Sequence, residues 1–172
     1  MAAYVGVDPG VGGAIAILLD DGTVAHAAGM PETDRDVLDV LAIAGDGARG
    51  VLEKVWSSPQ MGVTSAFTFG RSYGALRMAL VAAGVAFDEV LPAAWQKVFG
   101  CRTRGDKSIT KRLAQQMFPA VKVTNANAEA LLIAEYCRRL HRGAPQEELV
   151  LTPPPPGPPK WRFRATAKGD LF

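Results

Sequence analysis

The sequence has little of what cross-links, anchors or exports a protein. Its 172 residues include two cysteines, Cys101 and Cys137, too few for a disulfide framework and without the spacing of a zinc site. No apolar run approaches the roughly 20 residues that cross a bilayer, and no basic segment precedes an apolar one at the start. We therefore expect a reduced, cytoplasmic protein with no membrane anchor and no secretory signal.

The remaining composition is globular, but its charge is unevenly distributed. With 48% hydrophobic and 21% charged residues, the chain suits one domain with an ordinary core. Residues 1–95 contain 5 Lys or Arg and 11 Asp or Glu, whereas residues 96–172 contain 14 and 6. This asymmetry predicts an acidic region suited to metal ions and a basic region able to meet polyanions.

The first sixteen residues, MAAYVGVDPGVGGAIA, organise the rest of the prediction. Val5–Val7 is typical of a short buried strand, Asp8 follows it directly, and the glycines after Pro9 predict a tight turn. A carboxylate beside a turn without bulky side chains suits a cation and a phosphate that approach the backbone. The alternative is that Asp8 only caps a hairpin, because Asp-Pro-Gly is common in turns.

The first half of the chain predicts that a second carboxylate lies beside Asp8. Three antiparallel strands and a crossover helix precede a parallel strand, over residues 5–7, 14–19, 23–27, 31–45 and 50–55. This topology puts Glu53 on the strand next to Asp8, at an inter-strand spacing of about 4.8 Å. Such carboxylates repel each other, and a shared Mg²⁺ resolves the conflict. The alternative pairs Glu53 with Lys54 or a distant arginine.

A segment rich in Ser, Thr, Gly and aromatics follows Glu53 and leads into a helix. We expect this helix to begin near residues 64–68 and to end at Ala83, with Phe67 and Val81 in the core. Aromatic rings can stack on unpaired bases, while arginines and hydroxyls can contact phosphates. The DNA-binding candidates here are Phe69, Arg71, Ser72 and Tyr73. Core packing is the alternative for the aromatics.

The second half predicts a strand over 85–90 and helices over 91–99, 107–118 and 124–141. Its basic residues suit phosphate contacts, unless they form only a solvated helix face. These candidates are Arg102, Arg104, Lys107 and Lys111. Asn125 and Glu129 are four residues apart and would share one face near the start of the last helix. If that end packs beside Asp8 and Glu53, Glu129 completes a cluster. The alternative is that Thr124 or Asn125 caps the helix.

Past Gly143 the composition changes, so we divide the chain into a compact domain of residues 1–143 and a tail of residues 144–172. Residues 152–159 are almost all proline and predict a stiff spacer. Residues 160–164 are basic and aromatic. We expect this tail to bind nucleic acid or a replication or recombination partner, unless a second subunit orders it.

Five segments in this order are similar to the RuvC-type Holliday-junction resolvases, above all to the short forms found in bacteriophages. The segments are GVDPGVGGAIAIL, VLEKVWSSPQMGVTSAFTFGRSYGAL, PAAWQK, the Asp106-Lys107 helix and AEALLIAEY. The resemblance spans about residues 3–141. It implies a ribonuclease H-like α/β fold, a mixed five-stranded sheet flanked by helices. It further implies a homodimer that cuts four-way DNA junctions symmetrically in the bacterial cytoplasm, using two Mg²⁺ or Mn²⁺ ions per active site.

The same resemblance assigns catalytic and metal-binding roles to four positions. Asp8 would bridge both ions, Glu53 would bind one, and Glu129 with Asn125 would bind the other. One ion would activate a water and the other would stabilise the leaving 3′-oxygen. Asn125 departs from the family, which has a carboxylate about one turn before Glu129, and an amide brings no charge to a dication.

This departure keeps other functions open. One is a catalytically weak or inactive junction-binding protein, and another is a branched-DNA or RNA nuclease of the same fold. Actin-like ATPases and sugar kinases share the glycine turn after the first strand, but they need two such domains.

Overall fold

The computed structural model describes residues 2–58, 60–102 and 106–143, which contain five strands and five helices. The strands are β1 (Ala3–Asp8), β2 (Ala14–Leu19), β3 (Val24–Gly29), β4 (Arg49–Glu53) and β5 (Ala86–Val90). The helices are α1 (Asp34–Ala42), α2 (Val63–Ala82), α3 (Pro92–Val98), α4 (Lys107–Met117) and α5 (Asn127–His141). The predicted tail, residues 144–172, lies outside the described residues.

The five strands form one mixed sheet in the order β3-β2-β1-β4-β5. Strand β2 is antiparallel to β1 and β3, whereas β4 is parallel to β1 and β5 is parallel to β4. This arrangement confirms the predicted meander, crossover helix and parallel strand. In the β1–β4 register Val7 pairs with Leu52, so the next residues, Asp8 and Glu53, reach the same edge of the sheet.

Helices cover both faces of the sheet, and α5 lies closest. Helices α3, α4 and α5 pack on one face, while α1 and α2 pack on the other. A Cβ atom added at Gly6 would lie 2.2 Å from the backbone N of Ala134 and 2.3 Å from the carbonyl O of Ala130. The backbone of α5 therefore rests directly on β1, which fixes the position of the α5 amino end.

Helix α2 differs from the sequence-based expectation in the residues that it buries. Leu76 and Leu80 are buried as predicted, but Phe67 is 74% exposed and Val81 is 60% exposed, so their assignment to the core was wrong. Apolar residues lie on nearly every side of this helix, and its periodicity therefore does not identify the inner face. No helix in the described part of the chain is long and apolar enough to cross a membrane.

Candidate active site

Two carboxyl side chains end neighbouring parallel strands, as predicted. Asp8 is the last residue of β1 and Glu53 is the last residue of β4. Both are buried, with 7% and 8% of their surface exposed. Because the strands run parallel, their carboxyl ends lie side by side. The sheet therefore places two acidic groups together in a largely desolvated position.

The amino end of α5 adds a third carboxyl group to this edge. Glu129 lies in the first turn of α5, and its side chain is 13% exposed. The Nζ of Lys107 lies 3.7 Å from Oε2 of Glu129. Lys107 is the first residue of α4, where Asp106 caps the helix by accepting a hydrogen bond from the backbone N of Ser108. Among the described residues, one lysine thus faces three carboxyl groups.

These carboxyl groups perturb one another. Burial raises the pKa of Asp8 to about 8, and repulsion from Glu53 and Glu129 adds to the shift, whereas Lys107 opposes it. Burial also raises the pKa of Glu53, partly offset by a hydrogen bond from Trp95. At neutral pH the cluster therefore retains a proton, because its own positive charge does not balance three carboxylates.

The donor set fits a divalent cation, although the side chains do not form a preassembled metal site. Within residues 2–58, 60–102 and 106–143, no group of three or more His, Cys, Asp or Glu side chains is arranged to hold a metal ion. The three carboxyls form an electrostatic cluster. Carboxylate oxygens are the ligands that Mg²⁺ prefers, and a dication would offset the burial and the repulsion that raise the pKa of Asp8.

Asn125 lies in the turn that leads into α5 and is exposed. Thr124 and Asn127 exchange hydrogen bonds there, because Asn127 N donates to Thr124 Oγ1 at 3.2 Å and Thr124 N donates to Asn127 Oδ1 at 2.8 Å. This reciprocal pattern resembles a capping box. The residue that precedes α5 is Ala126, which caps it with no side-chain hydrogen bond, so Thr124 and Asn127 stabilise the turn before the helix. The metal-binding role of Asn125 stays a prediction.

Three of the predicted DNA-binding residues border hollows beside the β1–β2 turn. Arg71 and Ser72 line a cavity of about 490 Å³, and Phe69 and Ser72 line a second of about 360 Å³. Gly10 and Val11, two and three residues beyond Asp8, border both. Phe69, Arg71 and Ser72 of α2 therefore lie beside the turn that follows Asp8.

The remaining predicted DNA contacts are more scattered. The Tyr73 hydroxyl donates to Oε1 of Glu89 at 3.0 Å, and its ring packs in the core beneath α2. Arg102 is exposed and Lys111 is half-buried on α4. Arg104 lies outside the described residues. Tyr73 is thus already engaged within the fold, whereas Lys107 directly faces the cluster.

Two tryptophans beside the cluster were absent from the predicted site. The Trp95 Nε1 donates to Oε1 of Glu53 at 2.9 Å. Trp56 is 51% exposed, three residues beyond Glu53, and Lys54 Nζ lies 5.7 Å from its ring centroid. The sequence signal for Trp56 is its position just after a strand-end carboxylate. Trp95 has no such local signal, because 42 residues separate it from Glu53.

Comparison with solved structures identifies the fold. A structure of Thermus thermophilus RuvC is 18% identical, with a TM-score of 0.60, over 82% of this chain and 96% of that chain. Another, T. thermophilus RuvC in complex with a Holliday junction substrate, is 17% identical, with a TM-score of 0.59, over 83% and 97%. Family models and curated protein sequences give no match. The chain therefore has the ribonuclease H-like fold of RuvC, as its motifs predicted.

Proposed function

We propose that this chain is a metal-dependent endonuclease that resolves four-way DNA junctions by paired phosphodiester hydrolysis in a homodimer. The observation that carries the proposal is the cluster of Asp8, Glu53 and Glu129 at one edge of a RuvC-like sheet. Asp8 and Glu53 are buried, Glu129 is half-buried, and among the described residues Lys107 alone opposes their mutual repulsion. In a structural role such an arrangement is costly, whereas a bound cation makes it favourable.

Asp8, Glu53 and Glu129 would hold Mg²⁺ or Mn²⁺, with Asn125 offering an amide oxygen to the second of two ions. When bound, the metal supplies a water of lowered pKa and stabilises charge on the phosphate. The chain itself positions the ligands at two strand ends and one helix end and excludes most solvent from them. Lys107 supplies the positive charge closest to Glu129 and is placed to meet a DNA phosphate.

Recognition of the junction belongs to the surface around the cluster. Arg71 and Ser72 would contact phosphates beside the Gly10–Val11 turn, and Phe69 would stack on an unpaired base. Trp56 is a stronger stacking candidate than Phe69, because half of its surface is exposed and it lies three residues beyond Glu53, the last residue of β4. Arg102, Arg104 and Lys111 would extend the basic surface along α4.

The exposed face of α2 is the surface that we assign to the second copy. Phe67, Met78 and Val81 are 74%, 62% and 60% exposed and recur on one side of the helix, with Gly74 between them. Two equivalent strands of a four-way junction need two active sites, while one chain offers a single cluster.

Met78→Glu should therefore produce a monomer in light scattering at a concentration where the wild type is a dimer. The control is Ala25→Glu, which adds a charge on the edge strand β3 and should remain a dimer.

We also propose that residues 1–143 form the nuclease domain and that residues 144–172 engage a replication or recombination partner. A chain of residues 1–143 should then cut a junction as fast as the full chain. A clear loss of cutting would instead assign the tail to DNA binding or to the dimer.

Cleavage of a labelled four-way junction and of its matching linear duplex, with Mg²⁺, tests the main proposal. We expect the wild type to cut the junction, Asn125→Asp to cut it faster, and Asp8→Asn to lose more than about 100-fold, which exceeds the usual loss for an outer-shell partner. Equal cutting of junction and linear duplex would indicate a general nuclease. Competition with branched DNA and RNA substrates would define that wider activity.

A junction-binding protein without cleavage is the second candidate. It is favoured by the neutral amide of Asn125 and by the lack, within the described residues, of a preassembled metal site. Tight junction binding without cutting in wild type and Asn125→Asp would establish this candidate. Binding by Asp8→Asn with wild-type affinity would then show that the carboxylates do not contribute to DNA affinity.

A further inference from the structure

Trp95 is buried against the candidate site, although it belongs to a different part of the chain. Helix α3 begins at Pro92, and the Trp95 side chain is fully buried in the core that α3, α4 and α5 share. Its Nε1 donates to Oε1 of Glu53 at 2.9 Å. Within the described residues, this is the only side-chain hydrogen bond to the Glu53 carboxylate. A rigid aromatic group thus fixes one oxygen of a buried carboxylate.

This hydrogen bond does more than satisfy the indole. A buried tryptophan needs an acceptor for its N–H, but a backbone carbonyl would serve without burying a charge. The acceptor here is a carboxylate with 8% of its surface exposed, at the end of β4 beside Asp8. The N–H engages Oε1 and limits rotation of the carboxylate, while Oε2 accepts no hydrogen bond from the described residues.

We infer that Trp95 is a positioning residue, whose indole N–H holds the Glu53 carboxylate in a fixed orientation for binding a divalent cation. The inference rests on the proposed function only in that Glu53 must be a metal ligand. It assigns the Trp of the PAAWQK segment to the outer shell of the site. Outer-shell hydrogen bonds of this kind typically change metal affinity by 10- to 100-fold.

Trp95→Phe tests the inference, because it keeps a buried aromatic ring and removes the donor. The full chain would be titrated with MgCl₂ in a calorimeter, without DNA. We expect the dissociation constant for Mg²⁺ to rise about tenfold or more. Phe118→Leu is the matched control, since it removes aromatic volume from the same core without touching Glu53. It should bind Mg²⁺ like wild type even if its thermal stability falls equally.

A measurement on the wild type keeps the inference testable if Trp95→Phe does not fold. In protein with ¹⁵N-labelled tryptophan, the indole N–H signal of Trp95 should shift when MgCl₂ is added, and in Glu53→Gln. The exposed indole of Trp56, identified with Trp56→Phe, serves as the internal reference.

The outcomes separate this inference from the proposed function. Wild-type affinity for Mg²⁺ in Trp95→Phe would overturn the positioning role alone. So would an indole N–H signal of Trp95 that does not shift although the protein binds Mg²⁺. Failure of the wild type to bind Mg²⁺ would overturn both proposals. Weaker binding in Trp95→Phe with normal binding in Phe118→Leu would support the inference.

Discussion

Helix α5 carries two glutamates with opposite surroundings, Glu135, which is buried, and Glu129, which is half-buried. Glu135 is 4% exposed, and its carboxylate accepts hydrogen bonds from Arg138 at 2.7 and 3.1 Å and from Arg139 at 2.8 Å. Burial acts to raise the pKa of Glu135, but these arginines outweigh it and hold the pKa below its ordinary value. Near Glu129, by contrast, the pKa of Asp8 rises to about 8.

The difference separates a structural ion pair from a site that lacks its counterion. Around Glu135 the fold provides the cations itself, and Arg138 also donates to the carbonyl O of Asp20 at 3.2 Å, which ties the β2–β3 turn to α5. Around Glu129 the described residues provide one lysine, Lys107, for three carboxyl groups. Because a buried charge needs compensation, the second set is the one expected to recruit a cation from outside.

Gly6→Ala should have the largest effect, because it disturbs the packing of α5 on β1. That packing positions both Glu129 and Glu135. The added Cβ would meet backbone atoms of Ala130 and Ala134 at 2.2–2.3 Å, and these cannot rotate away. Overpacking usually costs 1–3 kcal/mol, so we expect the free energy of unfolding in urea to fall by about 3 kcal/mol or more. Gly12→Ala, whose Cβ would meet no atom within 4 Å, should be nearly neutral. Similar stability of both variants would contradict the close seating of α5 on β1.

Glu135→Gln should destabilise the protein at neutral pH by about 2 kcal/mol, since it weakens charge-assisted hydrogen bonds. The pKa of Glu135 is lowered in the folded state, so its contribution is present above the ordinary value of 4.5 and is lost as the pH falls through the lowered pKa. Urea unfolding at pH 7 and at pH 3 measures this change. The difference in stability between the two proteins should be smaller at pH 3 than at pH 7; a constant difference would point to packing.

Asp8→Asn should have the opposite sign and stabilise the metal-free protein. The pKa of Asp8 is raised from 3.8 to about 8 on folding, so stability is full below pH 3.8 and is lost as the pH rises toward 8. Asparagine removes this loss. We expect a gain of about 1–2 kcal/mol at pH 8, limited because the amide is itself buried, and little gain at pH 4. A loss of stability at pH 8 would show that Asp8 is compensated within the fold.

Local patterns in the sequence were enough to predict how the first four strands pair, whereas the position of β5 beside β4 was not predicted. The Asp-Gly turn at Gly22 and the crossover before β4 fixed the strand order, and parallel pairing then placed Glu53 beside Asp8. The same reasoning failed for Phe67 and Val81, because a helix that is apolar on most sides gives no periodic signal for its inner face. Which side of α2 becomes buried depends on how the helix packs against the sheet.

The electrostatic partners could not be predicted in the same way. Lys107 was a candidate for phosphate contacts, but its approach to Glu129 depends on how α4 packs against α5. Trp95 meets Glu53 only because α3 folds back across the sheet. Contacts between side chains far apart in sequence are set by the tertiary packing, which no local pattern encodes.

Lys107→Gln should have the smallest effect on the free energy of unfolding and a clear effect on the pKa of Asp8. The side chain is 57% exposed and its ion pair with Glu129 is 3.7 Å long, so removal should change the free energy of unfolding by less than about 0.5 kcal/mol. Lys107 lowers the pKa of Asp8, and its loss should raise that pKa further, as followed by the ¹³C signal of the Asp8 carboxyl. Arg138→Gln is the counterpart in the compensated set and should cost about 2 kcal/mol. Equal losses of unfolding free energy in both variants would contradict the distinction between the ion pairs of Glu135 and the uncompensated carboxyl groups around Glu129.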